Sequence, residues 1–341
     1  MFGEVLRAEG AYIHNLDDFW GHYWHNPSDS LSKKVGWRMA YNSKNRGDVY
    51  ATHGLGPVAQ CLDIHRGDRF TVLTAMDTKS VHGKEYMEKA TGEPCNDYRN
   101  GDHTTTLMRT ANGKVVEIQH NVMNPQPYNR LFKLTGTKGY ATKYPQPKFA
   151  LDSKQLQESG VSPKIDNLSS HDAEAKKLEE KYEHPIIKKY GEAGREMGHG
   201  GMDFMMDARL VYCLQNGLPL DMDVYDLAEW SCLAELGTLS MDNNCAAVAF
   251  PDFTRGQWNE LKGYKHAYNT IDEAKVEAIA VAVTKAQNEQ TERFKLWSLY
   301  DAVAKAPNSA AKAKAQKAFS IAKAKALKAV QNTIKKVAVS K

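Results

Sequence analysis

Hydrophobic and polar positions alternate through residues 4–14 and again through 69–78, the two-residue period of a strand with one buried face. The same alternation fills 104–110 and 114–122, joined by Ala111-Asn112-Gly113. A short Asn-Gly link between two such runs predicts a hairpin. Residues 128–144 predict two more strands around Gly136 and Gly139, so the first 145 residues read mostly as strands. The polar, Pro-, Ser- and Asp-bearing stretch 146–172 predicts a surface excursion. The period then lengthens to that of a helix. Residues 173–191 form one such run, broken near Pro185, and 200–217 form another with a glycine stop. Residues 223–243 predict a third, opened by Asp223 as N-cap. Residues 251–258 read as a loop. Successive antiparallel strands followed by helices predict an α+β fold: an open, mainly antiparallel sheet covered by helices.

From about Thr270 the pattern changes. Residues 271–304 read as one long helix, interrupted by Pro307-Asn308-Ser309, and a Lys/Ala-rich helix follows. In that second helix Phe319, Ala322, Ala326, Val330, Ile334 and Val337 share a face at spacings of three and four. The expected division is a domain over 1–268 and a helical extension over 269–341.

Charge changes the picture only at that extension. The formal net charge is +4, but residues 308–341 hold nine lysines and no acid, which leaves −5 for the rest. The body is therefore not a nucleic-acid binder on charge grounds. The tail reads either as a solvated helical segment or as an arm for an acidic partner or anionic surface. No run reaches the ~20 apolar residues of a membrane span, and the first ten residues carry no apolar targeting segment. Five cysteines without C-x-x-C spacing argue against a disulfide framework or a structural zinc site and predict buried thiols. His22-x-x-His25 offers no third ligand in register, so no metal is expected.

Candidate chemistry concentrates in Tyr50-Ala51-Thr52-His53, directly before Gly54-Leu55-Gly56-Pro57. Glycine and proline there predict a sharp bend, which would hold a phenol and an imidazole with little freedom. His53 is either a general acid or base or an unreactive core or cap histidine. Arg38, between Trp37 and Tyr41, suits a carboxylate, a phosphate, sugar hydroxyls or a surface ion pair. Tyr128 follows two prolines and suits a sugar-lining ring or a strand entry. His199, among three glycines, and Asp203 form a weaker candidate pair.

Several blocks together resemble glycoside hydrolase family 109. They are "GEVLRAEGAYIHNL", "YATHGLGPVAQCLDIHRGDR", "IQHNVMNPQPYNRLFKLTGTKG", "GHGGMDFMMDARLVYCLQNGLPLDMDVYDLAEWSC" and "PDFTRGQW". The likeness runs from about Gly3 to Trp258. It implies an NAD-dependent α-N-acetylgalactosaminidase on a glucose–fructose-oxidoreductase-like fold, and a partner glycan ending in α-linked N-acetylgalactosamine. The implied reaction oxidises the sugar at C3, eliminates the aglycone, adds water and returns the hydride. The resemblance makes His53 and Tyr50 catalytic, with Tyr50 also against the cofactor. It makes Tyr12, Arg38, Tyr50, Ala51, Thr52, His53 and Tyr128 substrate-binding, with His199 and Asp203 weaker. Ala51 stands where the family usually has proline.

The family also has a Rossmann domain with a glycine-rich pyrophosphate turn, which these 341 residues do not contain. A fragment with weak or no turnover alone is expected. A sugar oxidoreductase of the same fold, or a non-catalytic oligomerisation or sugar-binding remnant, are the alternatives. The resemblance further implies a homodimer through the sheet, and family members are often exported.

Overall fold

The computed structural model describes residues 1–16, 28–165, 167–195, 199–260, 295, 298–299, 301–303 and 305–339. The expected boundary at 268/269, most of the helix expected over 271–304, and His22 and His25 lie outside them. The chain divides into two compact units, 1–185 with 221–268, and 186–220 with 269–341.

The first unit is built on a sheet of nine strands among the described residues: β1 (Val5–Ile13), β2 (Phe70–Asp77), β3 (Thr104–Thr110), β4 (Val115–Asn121), β5 (Asn129–Gly136), β6 (Gly139–Thr142), β7 (Lys148–Leu151), β8 (Leu168–Ser169) and β9 (Val248–Ala249). Their spatial order is β8-β7-β6-β5-β1-β4-β3-β2-β9. Every neighbouring pair is antiparallel except β1 and β4, which run parallel with Tyr12 opposite His120. The expected open, mainly antiparallel α+β fold is the one found. The β3–β4 hairpin turns at Gly113, whose φ of 84° lies where a side chain is disfavoured.

Six helices of this unit are α1 (Ser30–Val35), α2 (Trp37–Lys44), α3 (Thr52–Cys61), α4 (His82–Thr91), α5 (Ser153–Glu158) and α6 (Ala173–Tyr182). The chain continues through α7 (Pro185–Gly194) and α8 (Met202–Asn216) to α9 (Val224–Ser231) and α10 (Leu233–Asp242). Alternate strand residues Ala8, Met108, Val116 and Ile118 bury one sheet face against Leu55, Val58 and Leu62 of α3 and Leu233 and Leu236 of α10. The opposite face carries ion pairs beside a small apolar cluster of Ala11, Ile13 and Leu131. Arg7 bridges Glu9 at 3.3 Å and also Glu117, and Lys133 reaches Glu9 at 3.0 Å. A second core, from Tyr12, Leu16, Val35, Met39, Met87, Tyr98 and Val122, closes the end of the sheet under α1, α2 and α4.

Asp102 supplies the N-terminus of α4, accepting from the backbone N–H groups of Val81, His82 and Gly83 at 3.2, 2.8 and 3.1 Å. Replacing it with alanine strips three orphan donors of one acceptor. Asp102→Ala is expected to destabilise the fold by about 2 kcal/mol, the upper end for a lost cap, read as a shift of the urea midpoint.

Four expectations change. Residues 146–172 are not a simple excursion: they add β7, α5 and β8, and Leu151, Leu156, Val161 and Leu168 pack with Ala175 and Leu178 of α6 as a small core. Residues 223–243 form two helices joined at Cys232 rather than one. The strand-rich first 145 residues also carry α1, α2, α3 and α4. All five cysteines are free, but only Cys213 is buried and Cys61 is exposed.

In the second unit α8 ends on Gly217 in the left-handed conformation (φ 63°). Residues 309–339 form one helix, α11 (Ser309–Val339). Ala311, Ala315, Phe319 and Ala322 are half-buried there, while Lys312, Lys314, Lys317, Lys323 and Lys325 are exposed. Among the described residues no helix is long and apolar enough to cross a membrane.

Candidate functional site

The Gly54-Leu55-Gly56-Pro57 stretch is not a bend. It lies inside α3, and neither glycine has a positive φ. The glycines serve close packing instead. A Cβ on Gly54 would lie 2.9 Å from the backbone N of Ala11 in β1, and a Cβ on Gly10 would overlap the Gly54 carbonyl. Helix and strand therefore touch backbone to backbone at this point. The contact sets the first turn of α3, with Thr52 and His53, beside Tyr12, two residues along β1. Ala51 precedes the helix, buried, and its carbonyl accepts from Gly54 and Leu55 at 3.1 and 2.8 Å.

Tyr12 is the hub. Its ring centroid lies 4.7 Å from that of His53, 5.0 Å from Tyr50, 5.9 Å from His14 and 6.3 Å from Tyr128. Tyr50 and His53 are themselves 4.4 Å apart. The buried Arg38, from α2, lays its guanidinium 4.0 Å above the Tyr50 ring, a desolvated cation–π contact. Tyr128 packs edge-on against His14 at 5.0 Å, with Arg130 5.4 Å from its ring. Five sequence candidates, Tyr12, Arg38, Tyr50, His53 and Tyr128, thus converge at one end of the sheet. His199 and Asp203 belong to the second unit. They pair with each other, Nδ1 to Oδ2 at 2.9 Å, as exposed neighbours one helical turn apart.

Burial sets the electrostatics. His14 titrates below the usual imidazole range, through burial first and then the cations Arg38 and Arg130. His120, buried on β4, is pushed down to about 3 by burial, Arg38 and His103. It stays neutral under working conditions. Burial and the neighbouring Tyr128 raise the Tyr144 phenol. Neutral imidazoles and phenols beside the fixed cations Arg38 and Arg130 can accept, donate and relay protons at hydroxyl groups. Among the described residues no three His, Cys, Asp or Glu side chains could hold a metal ion.

Two layers behind the cluster escaped the sequence reading. Asn42 donates to the Arg38 carbonyl at 2.9 Å, Asn100 donates to Asn42 at 3.1 Å, and Gly47 N–H donates to Asn100 at 3.1 Å. This buried amide relay ties α2 to the loop that delivers Tyr50. Asp48 on that loop accepts from the Tyr50 N–H at 3.2 Å. Nothing in local sequence marks such a relay, because Asn100 lies 58 and 53 residues from Asn42 and Gly47. His120 carries a faint signal: it shares inward parity with Val116 and Ile118.

Burial raises the Asp48 carboxyl to about 7. A folded-state value above the unfolded one means that the folded form binds the proton more tightly. The resulting stability is complete below the unfolded value near 3.8 and is lost as pH rises through about 7. Asp48→Asn keeps the acceptor for Tyr50 and removes this loss. Relative to the wild type, the variant is expected to gain stability as pH rises from 4 to 8, measured by urea unfolding across that range.

Fold and site define an α+β domain with an aromatic, imidazole- and arginine-lined cleft at one end of an open sheet. The chain belongs to glycosyl hydrolase family 109: the family's C-terminal-domain model matches residues 1–260. Glycosyl hydrolase family 109 protein 3 of Phocaeicola vulgatus is 63% identical over 346 residues, covering 100% of this chain and 62% of the relative. Protein 5 of the same organism is 72% identical over 79% of this chain and 52% of the relative. The family 109 protein of Porphyromonas gingivalis is 55% identical over 78% of this chain and 56% of its own length. The chain thus spans between half and two thirds of these relatives. Among solved structures, levoglucosan dehydrogenase in complex with NADH and levoglucosan aligns with 74% of this chain and 60% of its own, at 17% identity and a TM-score of 0.46.

Proposed function

We propose that residues 1–260 form the sugar-binding part of a glycosidase that releases terminal α-linked N-acetylgalactosamine with NAD as a catalytic cofactor. Family membership supports the reading. The observation that carries it is the mutual contact of Tyr12, Tyr50 and His53, with Arg38 stacked on Tyr50.

Bound NAD supplies reversible removal of a hydride from the sugar, which makes the neighbouring C–H acidic. The residues present suit the reacting end of that cofactor. Tyr50 and His53 are half-buried side chains in ring contact, and Tyr50 is the one that would meet the nicotinamide. For the phosphates, no strand among the described residues runs into a glycine-rich helix N-terminus of the dinucleotide-binding kind. In this scheme His53 takes and returns the proton on the sugar carbon, and its position beside two phenols gives the proton a path. Tyr12 and Tyr128 wall the ring of the sugar, and Arg38 holds a hydroxyl or carbonyl oxygen. Thr52 and Ala51 contribute the helix start that aims His53.

Titration calorimetry with methyl α-N-acetylgalactosaminide tests the site. The chain is expected to bind it, and Arg38→Ala to weaken binding at least about tenfold, the loss of one charge-assisted hydrogen bond. Absence of binding at millimolar sugar sinks the reading. In a p-nitrophenol-release assay with added NAD, the chain alone is expected to turn over weakly or not at all. Robust release without NAD overturns the chemistry. NADH accumulating in proportion to sugar consumed favours a net oxidoreductase on the same site.

A further inference from the structure

Beyond the end of β2 lies a polar cavity of about 420 Å³, walled by Arg46, Asp77, Lys79, Ser80, Lys84 and Arg99 among others. Four cations and one carboxylate line it, and the carboxylate is already engaged. Both Asp77 oxygens accept from Arg46, at 2.8 and 2.9 Å, and the remaining Arg46 nitrogen donates to Asp242 at 2.7 Å. Arg46 therefore contributes charge rather than free donors. The Arg99 guanidinium lies 3.7 Å from Asp242, too far for a hydrogen bond. Lys79 and Lys84 make no ion pair among the described residues. The Ser80 hydroxyl oxygen is buried and has no hydrogen-bond partner among them. Folded proteins rarely leave such a group unmatched, because it has lost water and gained nothing. The backbone N–H groups at the start of α4 are not the attraction here, since Asp102 already takes them. Two ammonium groups, a guanidinium and an orphaned hydroxyl thus meet around one cavity.

We propose that this cavity binds a tetrahedral oxyanion, a sulfate or phosphate group, through Lys79, Ser80, Lys84 and Arg99. Such a group presents three or four acceptor oxygens, which suits a wall of donors whose only carboxylate is engaged. A carboxylate brings two oxygens and leaves part of the donor set unmet. A neutral hydroxyl group would leave both ammonium charges uncompensated. The cavity opens at the same end of the sheet as the aromatic cluster. β2 runs antiparallel to β3, β3 antiparallel to β4, and β4 parallel to β1, so Asp77 and Tyr12 lie at corresponding strand ends. Arg46 sits four residues before Tyr50 on the loop that delivers it. The Arg99 N–H donates to the Ser43 carbonyl at 2.9 Å, which fixes the far wall to the end of α2. The anion can arrive as a free ion or as an ester on a sugar, since both present the same oxygens. The site stands on its own residues and does not depend on the sugar-binding reading.

The test is calorimetry of the full chain with sodium sulfate, sodium phosphate and sodium acetate, at one ionic strength held with chloride. Sulfate and phosphate are expected to bind at least about tenfold more tightly than acetate. Lys79→Ala/Lys84→Ala should weaken sulfate binding at least about tenfold, and Ser80→Ala about threefold. Sulfate should also raise the urea midpoint of the wild type and leave that of the double variant unmoved. Galactose 6-sulfate separates the two sources. Binding tighter than sulfate that the double variant loses assigns an ester on a sugar; any other result assigns the free ion. Sulfate bound no more tightly than acetate overturns the proposal, and so does sulfate held equally well by the double variant. None of these residues belongs to the aromatic cluster, so a failure here leaves the sugar site standing, and a failure to bind sugar leaves the anion site standing.

Discussion

Gly54→Ala is expected to destabilise the first unit by about 3 kcal/mol, even though alanine is the better helix former by roughly 1 kcal/mol. The added methyl has nowhere to go. It would meet the N, Cα and C of Ala11 at 2.9–3.1 Å, and these backbone atoms belong to β1, locked between β4 and β5. Helix α3 must lift from the strand, and overpacking of this kind typically costs about 1–3 kcal/mol or more. Gly56→Ala is the matched control on the same helix. Its methyl would meet the edge of the Trp230 ring at 3.3 Å, a side chain that can shift, so the variant should stay within about 1 kcal/mol of the wild type. Urea midpoints of the two variants check the contrast. The functional consequence follows from the same geometry. Lifting α3 carries His53 away from Tyr12, so Gly54→Ala should also lose sugar binding under conditions where it remains folded. A Gly54→Ala protein as stable as Gly56→Ala, with binding intact, contradicts the backbone contact that aims the site.

The same residues show where sequence was legible. The longer strands β1 to β4 were readable because each runs seven to nine residues of largely alternating sequence, and the hairpin carried its turn signal. The Gly-Leu-Gly-Pro stretch misled. Glycine and proline usually mark bends, but here packing against β1 overrides local propensity, and the glycines are required by a neighbour remote in sequence. The short helices α1 and α2 were missed because six or eight residues give less than three turns of periodicity. The β7–α5–β8 excursion was missed because its small core is assembled from single apolar residues spaced through polar sequence. At the site, Tyr50 and His53 stood out by chemistry and spacing, and Tyr12 gained weight only through the family resemblance. Their supports come from three stretches, 42–48 with Asn42 and Asp48, then Asn100, then His120, so no local pattern could join them all.

Arg66→Met should have the other large effect, about 3–5 kcal/mol, and it should act on stability without acting directly on the sugar site. Arg66 is buried and donates both terminal nitrogens to Asp226, 1% exposed, at 2.9 Å each, with a third bond to Asp223 at 3.2 Å. Asp223 and Asp226 also close a capping box at the start of α9. One turn further, the buried Glu229 meets His65, and burial holds the Glu229 carboxyl above the usual range while His65 pulls it back. Two buried side-chain pairs therefore clip α9 to the loop before β2, and α9 presses Trp230 onto α3 at Gly56. Methionine matches the arginine stem but leaves Asp226 as an uncompensated buried carboxylate, the costly way to break a buried pair. Arg66→Met/Asp226→Leu removes both charges and should recover most of the loss, less about 1 kcal/mol for half of the capping box. Urea midpoints of the single and double variants form the cycle. A single variant that costs under about 1 kcal/mol, or a double variant no better than the single, would show that this network is dispensable to the clip. Because α9 meets α3 at Gly56 through Trp230, folded Arg66→Met protein should bind sugar within about twofold of the wild type, whereas Gly54→Ala should not.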